Sequence, residues 1–355
     1  MKSVLITGGA GFVGASLAAS YREAYPEARV VALDNLRRRG SELNLARFRR
    51  LGIEFAHGDV RSAHDLDAVE GTFDLMIDAS AEPSVLAGLS GSPHYVLETN
   101  LGGTLSCLEL ARRRAGAFVF LSTSRVYSMA PLKQLRLREE ASRFEMEEPQ
   151  PWPGASARGI AEEFPTYLPR SLYGASKLAA ELIVQEYADT YGLRAVIDRC
   201  GVIAGPGQFG KVEQGVFTLW VAAHVFGKPL QYKGFGGTGK QVRDLLHPRD
   251  LFDLLEKQVP GIEPGEAGVY NVGGGREIST SLAELTSLCR EITGREVPVG
   301  SEPETSPVDI PLFLTDSGRV RERFGWAPQV GLRDLFEDIH AWLRENRAEL
   351  AAIFG

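Results

Sequence analysis

In the first half of the chain, short apolar runs alternate with longer stretches whose apolar positions recur every three or four residues. Val4–Thr7, Val30–Leu33, Ile53–Ala56, Leu75–Ala79 and Phe118–Ser122 read as strands, and Phe12–Tyr25 reads as an amphipathic helix. Near-continuous apolar strands separated by helices predict a parallel sheet covered on both faces. A helix over Ser171–Tyr191 and a strand over Ala195–Asp198 extend it.

The pattern breaks between Ser128 and Leu172, where Pro, Glu, Arg and aromatic residues collect around Pro149-Gln150-Pro151-Trp152-Pro153-Gly154; this stretch reads as an insertion or lid. Glycine-rich loops at Gly201–Gly215 and Gly234–Gly239 then interrupt shorter elements, and irregular backbone of this kind carries substrate contacts. Leu251–Val272 returns to the first lobe, and the last helices are expected over Leu282–Thr293 and Leu332–Ala352. The expected class is α/β: a doubly wound parallel sheet over residues 1–199 (insertion about 128–170) and about 240–275, with a smaller discontinuous lobe over about 200–239 and 276–355.

A chain of 355 residues suits one unit of two lobes. Acidic residues exceed basic ones by seven, and the arginines at Arg47 to Arg50 and Arg112 to Arg114 form no single stripe, which argues against a nucleic-acid partner. Three widely spaced cysteines, Cys107, Cys200 and Cys289, suit a reduced cytoplasmic protein. The apolar run after Lys2 is broken by glycines and too short for a signal peptide or membrane span. The six histidines, among them His57, His94, His224 and His247, lack metal-ligand spacing, so no metal is expected.

Gly8, Gly11 and Gly14 follow the first strand and open the first helix, and Asp34 ends the second strand about twenty residues on. Glycines there let backbone N–H groups, including those of Phe12 and Val13, approach a pyrophosphate at the helix's positive end. A carboxylate at Asp34 accepts bonds from ribose hydroxyls and repels a 2′-phosphate, which favours NAD over NADP. Arg37, Arg38 and Arg39 are within reach of such a phosphate, the other reading being a solvated loop. Gly58-Asp59-Val60 reads either as an adenine site or as a strand-end turn.

Tyr173 and Lys177 stand four residues apart on one predicted helix, hence on one face. A lysine cation and a positive nicotinamide ring together lower a phenol's pKa toward neutrality, so that Tyr173 can take a proton from an alcohol as hydride leaves the same carbon. The alternative is an ordinary helix-surface pair. Ser122-Thr123-Ser124 ends the fifth strand, at the edge a doubly wound sheet presents to ligands.

With these residues in place the chain resembles the extended short-chain dehydrogenase/reductase superfamily over nearly its whole length. The resemblance is carried by Thr7–Gly14 (TGGAGFVG), Asp34-Asn35, Asn100 in NLGGT, Ser122–Tyr127 (STSRVY) and Tyr173–Lys177 (YGASK). It implies a Rossmann fold, NAD, a nucleotide-sugar substrate and a homodimer joined through a helix pair, with Thr123, Tyr173 and Lys177 catalytic. Expected cofactor contacts are Gly8, Gly11, Phe12, Val13, Gly14, Asp34, Asn35, Arg37, Asp59, Val60, Ala79, Ser80, Ala81, Asn100, Ser122, Tyr173, Lys177, Cys200 and Val202. Expected substrate contacts are Glu82, Ser124, Arg125, Gln208, Phe209, Gln214, Arg243 and Asp309.

Within the superfamily, Asp34–Asn44, Pro153–Ile160, Cys200–Pro206, Gln208-Phe209-Gly210 and Gly239–Asp244 look most like CDP-tyvelose/CDP-paratose 2-epimerases. That resemblance implies oxidation at C2 of a CDP-hexose by enzyme-bound NAD and return of the hydride to the other face. Three departures bear on the alternatives. Dehydratase relatives place Asp-Glu after the catalytic Thr, whereas Ser124-Arg125 has no carboxyl proton to give. The 4-epimerase pattern has Asn where this chain reads Cys200-Gly201. An Arg-Pro-Gly-Asp diphosphate grip is replaced by Ser306-Pro307-Val308-Asp309, leaving Arg243, a planar fork for two phosphate oxygens, or else an ion pair with Asp244 or Asp250. A UDP-sugar 4-epimerase and a non-catalytic NAD-binding protein remain the alternatives.

Overall fold

The computed structural model describes residues 1–89, 91–209 and 215–354. Seven parallel strands form the central sheet: β1 (Ser3–Thr7), β2 (Arg29–Asp34), β3 (Glu54–His57), β4 (Leu75–Asp78), β5 (Phe118–Thr123), β6 (Ala195–Cys200) and β7 (Ala267–Val272), in the order β7-β6-β5-β4-β1-β2-β3. Side chains alternate across a strand, so each apolar run feeds two cores. Val4, Ile6, Val30 and Ala32 pack with Leu17, Leu251 and Leu254 on one face, and Leu5, Val31 and Leu33 with Leu108 and Val184 on the other. The strand order reverses between β1 and β4, and the carboxyl ends of strands beside such a reversal open into a ligand crevice.

β6 runs two residues beyond its expected end, which sets Cys200 directly opposite Thr123. The edge strand β7 comes from the returning segment. A short four-stranded sheet made of Val202–Ile203, Val242–Leu246, Ser279–Ser281 and Leu312–Phe313 joins this lobe to the second. There Phe217, Trp220, Leu285, Phe336 and Ile339 form a separate core. The final helix is divided at Asn346 into Leu332–Glu345 and Arg347–Phe354.

The insertion is a docked bridge rather than a free lid. It folds into two small hairpins, Leu137–Glu139 with Phe144–Met146 and Ala155–Ser156 with Gly159–Ile160. The Ile160 N–H donates to the Leu314 carbonyl at 2.8 Å, and the Phe144 N–H donates to the Lys240 carbonyl at 3.0 Å. Burial of Leu132, Ile160 and Phe164 against Tyr127 and Phe313 holds it down. Among the described residues, no helix is long and apolar enough to cross a membrane.

Candidate active site

The turn after β1 enters the helix Phe12–Ala24 through Gly11, which provides no side-chain cap. The first backbone bond of the helix runs from the Ala15 N–H to the Gly11 carbonyl, 2.9 Å. The N–H groups of Phe12, Val13 and Gly14 therefore have no acceptor within the helix and carry its positive end. A Cβ on Gly14 would lie 2.2 Å from the Gly8 carbonyl oxygen, so only glycine lets the helix seat against the turn.

At the end of β2, Asp34 accepts from the Ala10 N–H at 3.1 Å and the Leu36 N–H at 2.8 Å. Burial raises its pKa, with the backbone donors opposing. Asn35 donates to Asp59 at 2.9 Å, and the Arg61 guanidinium, 2.7 Å away, holds the Asp59 carboxyl far below the usual carboxylate range. Val60 lies against Gly103. The three arginines after Asp34 meet protein groups: Arg37 stacks 3.9 Å over Tyr95, Arg38 donates to the Phe209 carbonyl at 3.3 Å, and Arg39 to the Ala352 carbonyl at 3.0 Å. The uncapped helix end, the close-packed glycines and an anchored carboxylate with lone pairs to spare fit a dinucleotide.

Ala79-Ser80-Ala81 follow β4 and face the glycine turn; the Ala79 N–H donates to the Thr7 carbonyl at 3.2 Å. This loop hangs from Asp78, a fully buried carboxylate absent from the expected site. Its oxygens accept from the hydroxyls of Thr7 (2.9 Å), Ser80 (2.6 Å) and Thr104 (2.8 Å).

Tyr173 lies in the first turn of the helix Leu172–Tyr191, capped by Ser171. A Cβ on Gly174 would stand 2.0 Å from the Arg125 carbonyl oxygen, so glycine allows the helix to close on the turn after β5. That approach brings the Tyr173 phenol beside the Thr123 side chain, whose oxygen accepts from the Arg125 N–H at 3.2 Å. Burial pushes the phenol's pKa above its ordinary value, with Thr123 and Arg125 opposing. The expected lowering by Lys177 is therefore not achieved by the chain alone, because loss of water outweighs the nearby charges.

Lys177 is 2% exposed, its Nζ 3.8 Å from the centre of the Phe120 ring, and it makes no hydrogen bond or ion pair among the described residues. Burial lowers its pKa, opposed by Asp78 and Glu181. A buried ammonium with unfilled donors beside Tyr173 suits ribose hydroxyls.

Two expected cofactor contacts, Ser122 and Asn100, are hydrogen-bonded within the protein. Ser122 donates to Glu181, which forms a buried two-toothed ion pair with Arg199 at 2.7 Å. Arg199 donates to the Tyr127 hydroxyl at 3.3 Å, and Tyr127 donates to Asn271 at 2.7 Å. Asn100 accepts from the Glu82 N–H (2.8 Å) and donates to the Glu82 carbonyl (3.1 Å) and Ser176 (3.0 Å), so it pins the loop after β4 to the Tyr173 helix. Glu181 was legible, since Tyr173, Lys177 and Glu181 share one helix face at four-residue steps; Asn271 and Asp78 gave no such signal.

Arg125, Arg243 and Asp309, three of the expected substrate contacts, lie near one another: Arg125 donates to the Val308 carbonyl at 3.4 Å. Arg243 pairs with Asp309 at 2.8 Å rather than with Asp244 or Asp250, and also donates to the Ile310 carbonyl at 2.8 Å. Glu82 and Arg125 both act electrostatically on the Tyr173 phenol. Ser124 is the first residue of the single helical turn Ser124–Val126. Cys200 is buried and Val202 half-buried at the end of β6.

Gln208 and Phe209, expected at the substrate, make contacts within the protein. Gln208 donates to the Ile203 carbonyl at 3.0 Å and accepts from Thr218 at 2.6 Å. The Phe209 ring is buried between Gly40 and Trp342. Gln214 lies outside the described residues.

Residues 4–273 match the NAD dependent epimerase/dehydratase family. The chain is 28% identical to a CDP-paratose 2-epimerase of Salmonella typhi, with 96% of this chain and 98% of the relative covered. It is 29% identical to a dTDP-glucose 4,6-dehydratase of Streptomyces niveus, covering 97% and 94%. Among solved structures, a UDP-glucose 4-epimerase of Thermotoga maritima with UDP-glucose superposes with a TM-score of 0.75 at 25% identity, covering 97% and 99%.

Proposed function

Because the chain belongs to the NAD-dependent epimerase/dehydratase family, we propose that it is a nucleotide-sugar epimerase that inverts C2 of a CDP-hexose. The observation that carries this reading is the convergence of Thr123 and Tyr173 beside Lys177, on a turn that continues as Ser124-Arg125. A dehydration needs an acid to protonate the departing hydroxyl, and that turn offers a hydroxyl and a guanidinium instead. Similarity to a CDP-paratose 2-epimerase supports C2 and the cytidine base.

NAD, when bound, supplies a reversible hydride acceptor and a positive ring. Tyr173, as phenolate, would accept the proton of the C2 hydroxyl when that carbon is oxidised to the ketone. Thr123 holds the reacting oxygen through a hydrogen bond. Lys177 holds the nicotinamide ribose, and its charge favours the phenolate. Tyr173 would return the proton to the oxygen once the ketone, presented by its other face, is reduced again. The sugar is neither oxidised nor reduced overall.

The glycine-turn lobe serves the dinucleotide in this reading and the C-terminal lobe the sugar nucleotide. Leu105 on the helix Gly103–Arg114 and Leu182 and Tyr191 on the helix Leu172–Tyr191 are 45%, 57% and 55% exposed, and a second copy of the chain covers them in a homodimer. The buried free thiols suit work in the cytoplasm.

Proton NMR of the purified protein with CDP-, UDP-, GDP- and dTDP-sugars, without added cofactor, tests the proposal. Inversion at C2 of a CDP-sugar is expected. Inversion at C4 of a UDP-sugar would select a 4-epimerase built on the same residues, and silence with NAD added would favour a binding protein.

A further inference from the structure

Lys177 is bordered by two carboxylates and bonded to neither. Burial disfavours its charge, and Asp78 and Glu181 favour it. Asp78 is filled by other donors: it accepts from the hydroxyls of Thr7, Ser80 and Thr104 and from the Ser80 N–H at 3.1 Å. Glu181 follows Lys177 by four residues on the same helix, a spacing that sets Cβ atoms about 5–6 Å apart and lets a lysine and a glutamate pair. The Glu181 carboxylate turns instead to Arg199, whose Nε lies 3.1 Å from both of its oxygens and whose Nη2 lies 2.7 Å from Oε2, and to the Ser122 hydroxyl. A planar guanidinium engages both oxygens of a carboxylate at once, which leaves little for an ammonium to compete for.

Arg199 is itself fixed from behind. It lies on β6 opposite Ser122 of β5 and Asn271 of β7. Its guanidinium donates to the Tyr127 hydroxyl and stands 5.3 Å over that ring. Asn271, which accepts from the same hydroxyl, donates to the Ile160 carbonyl at 2.8 Å.

We infer that Arg199 is a positioning residue for the cofactor: by occupying Glu181 it keeps the Lys177 ammonium unclaimed for the hydroxyls of the nicotinamide ribose. The inference rests on the placement of Lys177 at that ribose in the reading above. Without Arg199, Glu181 would be a buried carboxylate with one hydroxyl donor left, and Lys177, one turn away, is a buried cation able to neutralise it. The pair so formed would take from the ribose the donors it needs.

The test is calorimetric NAD titration of the full-length protein and its variants, freed of bound nucleotide. Arg199→Met is expected to weaken NAD by roughly 10- to 100-fold, and adding Lys177→Met to it should cost nothing further, because Lys177 is already paired. An Arg199 that serves only to support the fold would let the two losses add, and additive losses overturn the inference. Arg199→Met combined with Glu181→Gln removes the competing carboxylate and should return the affinity to within about fivefold of wild type, with the cost of Lys177→Met restored. A combined variant that stays as weak as Arg199→Met also overturns it. If Lys177→Met alone binds NAD as tightly as wild type, the placement of Lys177 falls and the inference with it. Should Arg199→Met not fold, Arg199→Lys carries the test: its ammonium covers one carboxylate oxygen, so part of the NAD affinity and part of the Lys177→Met effect should be lost, and full additivity overturns the inference. These titrations use no sugar, so a wild type silent in the NMR assay overturns the epimerase reading and leaves the role of Arg199 to be decided by NAD alone.

Discussion

Lys177 rests over the face of Phe120, its Nζ 3.8 Å from the ring centre, so the ring supports the buried cation while leaving its N–H donors unfilled. Lys177→Met is therefore expected to act in opposite directions on stability and binding. Removing an unpaired buried charge should leave the melting temperature of NAD-free protein unchanged or higher. NAD affinity should fall by roughly 10- to 100-fold through lost ribose bonds. Thermal unfolding and NAD titration on the same variant check both, and a variant that binds NAD as tightly as wild type would remove Lys177 from the ribose.

Tyr173→Phe keeps the half-buried ring beside Thr123 and Arg125 and removes the proton carrier. Turnover should drop by about 10²- to 10⁴-fold while the NAD content of the purified protein is unchanged. Progress curves by NMR and the absorbance of released NAD check this; substantial remaining activity would assign the proton to another group.

Gly14→Ala places a methyl 2.2 Å from the Gly8 carbonyl oxygen, and a backbone atom cannot rotate away. The expected result is a loss of roughly 1–3 kcal/mol in stability together with weakened NAD binding. Denaturant melts paired with NAD titration would show it. An alanine variant with wild-type values would mean that the turn has slack.

Asp198 on β6 is wholly buried, accepts one bond from Gln258 at 2.8 Å and leaves its other oxygen without a partner. Burial pushes its pKa up from 3.8 to about 7. A raised value means that the folded state holds the proton more tightly than the unfolded chain. The stabilisation is thus complete below about pH 4 and is lost as the pH rises toward 7. Asp198→Asn should consequently gain on wild type between pH 5 and pH 8, by on the order of a few kcal/mol. Melting temperatures of both proteins across that range test it, and a difference that stays flat with pH would contradict it.

The sequence by itself determined what local spacing controls. Three glycines between a strand and a helix, Asp34 at the next strand end, and Tyr173 with Lys177 one helical turn apart are each set within a few residues by backbone geometry and side-chain direction. The apolar runs likewise located six of the seven sheet strands, because a buried parallel strand must be apolar on both faces. Tertiary structure alone decided which polar groups meet once the chain has packed. Asn100 and Ser122 are expected at the cofactor, and only the fold shows that Asn100 also meets Glu82 and Ser176, and Ser122 meets Glu181. Gln208 and Phe209 were drawn into the packing between lobes, and the insertion was docked by apolar burial that its composition does not reveal. Arg125 and Val308 are 183 positions apart, and no periodicity links them. A buried polar group must be satisfied by whatever packing brings within reach, and that neighbour is chosen by the whole fold and not by its place in the chain.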